Sequence, residues 1–286
     1  MIISVASGKG GTGKTTVAVN LALSLGKCRF LDCDVEEPNA HLFLKPAITE
    51  TVPVTVPVPS TDQDRCTHCG ICQTVCNFHA IAVVPATEER PGKFLHFPEL
   101  CHGCGACGLL CPEKAIAYDK RVIGWVDAGR AQEISFAHGR LQVGEVMSPP
   151  LIKKVRSYAD SGEVVIIDAP PGTSCPMIAS TKGSDFCILV TEPTPFGLND
   201  LKLAVEVVRK SNIPFGVIIN RSDIGDGRVE NYCRAEAIPV LLSIPFDRKI
   251  AEWYSQGIPL VENKSDYQRK FRGLIRDIKK ETEAFK

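Results

Sequence analysis

Ile2-Ile3-Ser4-Val5-Ala6-Ser7-Gly8-Lys9-Gly10-Gly11-Thr12-Gly13-Lys14-Thr15-Thr16 opens the chain, and its reading decides the fold. Ile2 to Ala6 is a short apolar run suited to a buried strand, and Val17 to Leu25 is apolar and helix-compatible. Strand, glycine loop and helix form the context that a phosphate loop requires. The glycines let backbone N–H groups close around phosphate oxygens, and the helix N-terminus behind them adds a favourable dipole. Gly8, Lys9, Gly10, Gly11, Thr12, Gly13, Lys14, Thr15 and Thr16 therefore read as a nucleotide-binding set. Lys14 is placed to reach the β- and γ-phosphates of ATP, and the Thr15 hydroxyl to ligate Mg²⁺. A bare Gly-rich turn is the competing reading, and every motif position is filled against it.

Moving outward, apolar runs alternate with helical stretches. Phe30-Leu31-Asp32-Cys33-Asp34 reads as a second strand ending in Asp-x-Asp. Leu151 to Ala159 fits a helix, and Val164-Val165-Ile166-Ile167-Asp168 is a β-branched run closing on an acid. Strands are predicted over 186–190, 214–219 and 240–244, and a helix over 198–210 with Leu201, Ala204, Val205 and Val208 on its apolar face. This alternation indicates an α/β fold: a doubly wound, mainly parallel sheet with its ligand at the carboxyl ends of the strands.

The 286 residues are 44% hydrophobic and 23% charged, ordinary for a soluble globular protein. Net charge is zero, which argues against nucleic acid or an anionic lipid surface as partner. No apolar run approaches the roughly 18 residues of a membrane span. The phosphate loop begins too early for a cleavable leader, and the thirteen cysteines are odd in number, so a reducing cytoplasm is expected.

Eight of those cysteines form two matched runs. Cys66, Cys69, Cys72 and Cys76 are spaced C-x-x-C-x-x-C-x-x-x-C; Cys101, Cys104, Cys107 and Cys111 repeat the spacing and are followed by Pro112. At a constant offset of 35, Gly70 also aligns with Gly105 and Ala80-Ile81-Ala82 with Ala115-Ile116-Ala117. Each half reads as a cysteine-rich loop, a short helix and a short strand. Thiolates in this spacing suit two iron–sulfur clusters; structural zinc is the plainer alternative.

Residues 61–120 resemble a bacterial-type two-cluster ferredoxin, an inserted small α+β domain. In that motif the fourth cysteine of each run binds the other run's cluster. The resemblance thus implies one [4Fe–4S] cluster on Cys66, Cys69, Cys72 and Cys111, and another on Cys101, Cys104, Cys107 and Cys76. Pro112 stands where the motif's proline shapes the turn and seals the cluster from water. Asn77 occupies the matching place after Cys76, which leaves the protection of that cluster open.

Residues 1–60 and 121–286 form the remaining, discontinuous domain. Lys9 to Thr16 read K-G-G-x-G-K-T-T, and here the chain resembles the MinD/ParA group of P-loop ATPases. The resemblance implies an ATP-dependent homodimer in which Lys9 reaches the partner's nucleotide. It gives Asp34 to the attacking water, Asn39 to the first switch and Asp168 to Mg²⁺ through water. Ala169 to Thr173 then form the second switch, Asn220 reads adenine, and Pro245-Phe246-Asp247 lies near the base. Thr51 to Pro59, with alternating proline, suits an edge strand or linker, and Trp125 to Gly144 a hairpin returning to the ATPase domain.

Cys28, Cys187 and Cys233 read as core residues, and Cys33 as the alternate face of its strand. Cys175, in the second switch, is a candidate for a redox role only if a second cysteine joins it, and no matching one is found. Tyr267, Phe271, Leu274, Ile275 and Ile278 at helical spacing predict a closing helix rather than a membrane-binding one. The six histidines form no ligand cluster; His68, His79 and His102 lie among the cluster cysteines. Three functions follow: an ATP-driven redox protein serving an unidentified partner, an iron–sulfur assembly or carrier ATPase with a client protein, or a positioning switch with a structural ferredoxin module.

Overall fold

The computed structural model describes residues 1–159 and 162–285. In chain order it begins β1 (Ile2–Ala6), α1 (Lys14–Leu25), β2 (Cys28–Asp32), α2 (Ala40–Leu44) and β3 (Ala47–Thr61). Next come α3 (Ile71–Thr74), β4 (Ile81–Val84), β5 (Lys93–His96), α4 (Ala106–Leu109), β6 (Ile116–Ala131) and β7 (Ile134–Leu141). Then α5 (Pro149–Arg156), β8 (Val165–Asp168), α6 (Cys175–Thr181), β9 (Phe186–Thr191), α7 (Pro195–Lys210) and β10 (Phe215–Asn220) follow. The chain closes with α8 (Arg228–Ala235), β11 (Val240–Ile244), α9 (Arg248–Ser255), α10 (Leu260–Asn263) and α11 (Ser265–Phe285).

Two compact units result. One gathers Met1–Val52, Val126–Arg140 and Leu151–Lys286; the other gathers Pro53–Trp125 and Leu141–Pro150.

The first unit is built on strands ordered β11-β10-β9-β1-β8-β2-β7, followed by the part of β6 from Val126 and the part of β3 up to Val52. From β11 to β7 every pairing is parallel. Its central strands are apolar on both faces, because both faces are covered. One face packs Val17, Leu21, Phe30 and Phe136 with Phe271 and Ile278 of α11. The other packs Leu189 and Val217 with Leu201, Val205 and Val208 of α7. The C-terminal apolar stripe is thus spent on the core: Phe271 and Ile278 are fully buried, and Arg272 Nε donates to the Ser24 carbonyl of α1 at 2.9 Å. Among the described residues no helix is long and apolar enough to cross a membrane.

Toward the β6 side of this unit, the buried Asp127 carboxylate gathers three donors: Thr51 Oγ1 at 2.7 Å, Arg140 Nε at 2.5 Å and His138 Nε2 at 3.1 Å. Burial alone raises the Asp127 carboxyl, but Arg140, Thr51 and His138 outweigh it and hold it at about 2. A carboxyl depressed in the fold stabilises above its unfolded value and loses that contribution as pH falls through the folded value. Asp127→Asn is therefore expected to cost about 2 kcal/mol at pH 7. The gap to wild type should shrink below roughly pH 4, and urea titrations at pH 7 and pH 3.5 measure both points.

The second unit reproduces the internal repeat. α3 and α4 each start after a left-handed glycine, Gly70 at φ 80° and Gly105 at φ 81°. The Ala80 N–H donates to Cys76 Sγ and the Ala115 N–H to Cys111 Sγ, both at 3.3 Å. β4 and β5 pair antiparallel.

Candidate functional site

Parallel pairing lays the carboxyl ends of β1, β2, β8 and β10 along one edge of the sheet. In register, Asp168 is level with Val5 on one side and with Asp32 on the other. The phosphate loop, the Asp-x-Asp turn and Asp168 are thereby brought to one place. Gly13 adopts φ 94°, and a Cβ there would lie 2.5 Å from Asn220 Nδ2, so this position requires glycine. Asn220 itself donates from Nδ2 to the Thr12 carbonyl at 2.9 Å, tying β10 to the loop.

A solvent-open cleft lies over this edge. Gly10, Gly11, Gly13, Lys14, Thr15 and Thr16 line it, together with Asp34, Asn39, Asn220 and the Pro245-Phe246-Asp247 turn. Burial raises the Asp34 carboxyl to about 6; Lys14 opposes the rise, and Glu37 and Glu36 add to it.

Asp32 is marked in the sequence only as the first acid of the strand-ending Asp-x-Asp. It is fully buried, and its two oxygens accept from the N–H groups of Asp34 and Ala40, each at 3.1 Å. One carboxylate thus fastens both ends of the 34–39 segment, and the Asp-x-Asp pair was the signal for it. Burial and then the neighbouring Asp168 push the Asp32 carboxyl well up.

Asp168 is 1% exposed, and neither carboxylate oxygen has a hydrogen-bond partner. Burial pushes it up; the Thr15 hydroxyl and Lys14 lower it without completing a hydrogen bond, and Asp34 raises it further. A buried carboxylate left without partners beside the hydroxyl of Thr15, which itself lines the cleft, is a donor set that fits hydrated Mg²⁺.

Lys9 is not among the residues lining the cleft. Its Nζ lies 2.5 Å from Glu192 Oε1, and Glu192 Oε2 lies 3.1 Å from Arg221 NH1. Glu192, just past β9, is nearly buried between the two cations. Nothing local in the sequence marks it, because its partners are 183 and 29 residues away.

In the second unit, Cys66, Cys69, Cys72 and Cys111 line one small cavity. Cys76, Cys101, Cys104 and Cys107 line another. None of the thirteen cysteines is in a disulfide. Among the described residues, no three His, Cys, Asp or Glu side chains close around a single metal ion. Cys28, Cys33, Cys187 and Cys233 are fully buried, and burial pushes the Cys28 and Cys187 thiols up to about 12. Cys175 is exposed at the start of α6.

Comparison with known proteins adds the ancestry. An uncharacterised protein of Methanocaldococcus jannaschii is 30% identical over 269 residues, 90% of each chain. The iron-sulfur cluster carrier protein of Pyrococcus furiosus is 28% identical over 91% of this chain and 78% of its own length. Among solved structures, the septum site-determining protein MinD of Pyrococcus horikoshii, complexed with Mg-ADP, matches with a TM-score of 0.59. That match covers 97% of this chain and 95% of MinD at 22% identity, a likeness of fold. The model of the CobQ/CobB/MinD/ParA nucleotide binding domain matches residues 3–260. That match begins within the strand before the phosphate loop and runs past the last strand of the sheet, and so this chain belongs to the CobQ/CobB/MinD/ParA nucleotide-binding family.

Proposed function

We propose that this protein is a Mg²⁺-dependent ATPase that holds two [4Fe–4S] clusters and uses an ATP-driven switch, in a homodimer, to gate electron delivery to a partner protein. The observation that carries the reading is the pair of four-cysteine cavities in a chain whose other unit presents a phosphate-loop cleft. Four thiols around each cavity, drawn from two runs of the same three-plus-one spacing, fit a cluster better than zinc. Held there, such a cluster supplies one-electron transfer. The Ala80 and Ala115 N–H groups already point at Cys76 and Cys111 Sγ, where they partly neutralise a thiolate.

In the cleft, Lys14 and the loop N–H groups neutralise the transferring phosphoryl group. Asp34 orients the attacking water, Asn39 contributes a polar switch contact, Thr15 and Asp168 hold Mg²⁺, and Asn220 reads the base. Asp32 keeps the 34–39 segment in place through its two backbone contacts. The cysteine-rich stretch lies in sequence between that segment and Asp168, so the chain leaving one switch leads to the cysteines. Nucleotide shifts redox state only as far as it prefers one state over the other, and the coupling is reciprocal.

The test is anaerobic: cluster midpoint potentials with and without Mg·ATP, and ATPase rate in oxidised and reduced protein. Values that move together support gating; potentials and rates that both stay fixed overturn it. The names of relatives such as the Pyrococcus carrier protein favour a second reading, a cluster carrier. Two complete four-cysteine sites within one chain favour clusters that are retained. Transfer of iron and sulfide to an apo-acceptor would decide for the carrier.

The Lys9–Glu192 contact gives a separate expectation. In the proposed dimer Lys9 must leave Glu192 to reach the partner's nucleotide, and Arg221 remains to neutralise the carboxylate. Glu192→Gln removes the competing ion pair, so the ATP-bound dimer should form at a roughly tenfold lower protein concentration. Lys9→Ala should prevent its formation, and sedimentation equilibrium reads both.

A further inference from the structure

The cavity lined by Cys76, Cys101, Cys104 and Cys107 has a feature its twin lacks. The Phe78 and His102 rings both line it and are stacked, 3.7 Å between centroids and 5° from parallel. At the offset of 35 their counterparts are Glu113 and Thr67, which line the other cavity and have no rings to stack. Pro112 also lines that other cavity, whereas its counterpart Asn77 is not among the residues lining this one. The stack joins the two cysteine runs directly, since Phe78 follows the first run and His102 lies within the second. Tyr118 braces the same site: its hydroxyl accepts from the Gly108 N–H at 3.0 Å and donates to the Gly105 carbonyl at 2.8 Å. The Tyr118 oxygen also lies 3.7 Å from Cys107 Sγ. The loop is thus pinned by Tyr118, while Phe78, 39% exposed, stands between the cavity and solvent.

We propose that the Phe78–His102 stack is the water-excluding cover of this one cluster site, taking the part that Pro112 has at the other. The inference rests on the reading that these cysteines hold clusters. Its physical content is solvent access. Water close to the thiolates and sulfides stabilises the more negative, reduced state and admits oxidants. A covered site therefore keeps a lower potential and a longer life in air. The two sites are closed by different means, one by a rigid ring and one by a pair of side chains that can separate, so each can be altered alone.

The experiment uses the full chain, purified anaerobically, in two backgrounds. Cys66→Ser disables one site and Cys101→Ser the other, with circular dichroism confirming each variant is folded. In the Cys66→Ser background, Phe78→Ala should shorten the half-life of bound iron in air at least about fivefold and move the midpoint potential to a more positive value. In the Cys101→Ser background it should change neither. His102→Ala, at an exposed position, should act in the same direction and does not depend on the fold tolerating Phe78→Ala. Phe78→Tyr keeps a stacking ring and should restore the original lifetime. Unchanged lifetime and potential in both Phe78→Ala and His102→Ala overturn the inference, as does equal loss in both backgrounds. Wild-type protein that holds no iron overturns the cluster reading itself and the cover with it.

Discussion

Asp168→Asn should lower Mg²⁺-dependent ATP turnover at least ~10³-fold while making the nucleotide-free protein more stable. Both effects come from one carboxylate. Asp168 ends a strand buried on both faces, is level with Asp32 in the sheet, and has no hydrogen-bond partner on either oxygen. In the nucleotide-free fold its charge is a cost: burial and nearby acids disfavour it, and Thr15 and Lys14 offset that only in part. An amide removes the charge at constant shape, which should add about 1–3 kcal/mol to the nucleotide-free fold. With Mg·ATP the order should reverse, because wild type gains binding free energy that the variant lacks. Melting temperatures with and without Mg·ATP, beside steady-state ATP hydrolysis, test this. A variant that keeps its turnover overturns the assignment of Mg²⁺ to Asp168, and one that is less stable without nucleotide overturns the cost given to its buried charge. Lys14→Arg is a useful companion: it preserves the charge that lowers Asp34 and Asp168, but not the compact ammonium that fits between phosphates.

The second large effect concerns which cysteines act together. Cys111→Ser should remove about half the iron, and Cys76→Ser about half, with the losses falling on opposite sites. Pairwise combination decides the grouping. Cys111 lines the cavity of Cys66, Cys69 and Cys72, so adding Cys66→Ser to Cys111→Ser should cost little more. Adding Cys101→Ser, from the other cavity, should remove the remainder. Iron and sulfide content with low-temperature EPR of the reduced proteins reads each variant. Grouping by run would give the opposite result, with Cys111→Ser and Cys101→Ser acting as one.

Much of this was legible locally. A phosphate loop needs glycines and a lysine at short fixed spacing between a strand and a helix, and β1, Lys9 to Thr16 and α1 supply them within a continuous stretch. Strands that must be apolar on both faces announce themselves by composition, as β8 and β9 do. The cysteine repeat is likewise fixed by spacing alone, and the stripe of α11 by its period.

What the sequence by itself determined is therefore the kind of sheet, the loop at its edge and the two cysteine runs, since each depends on residues a few positions apart. Only the tertiary structure decided who meets whom. Parallel register set Asp32 beside Asp168, and Asp32 then fastened the 34–39 segment by two backbone contacts. Strand order delivered Glu192 to Lys9 across 183 residues, and packing of the two runs laid Phe78 on His102. Such pairings leave no periodic trace. They depend on the three-dimensional approach of segments whose local sequences are each satisfied without the other, and that approach is set by the whole fold.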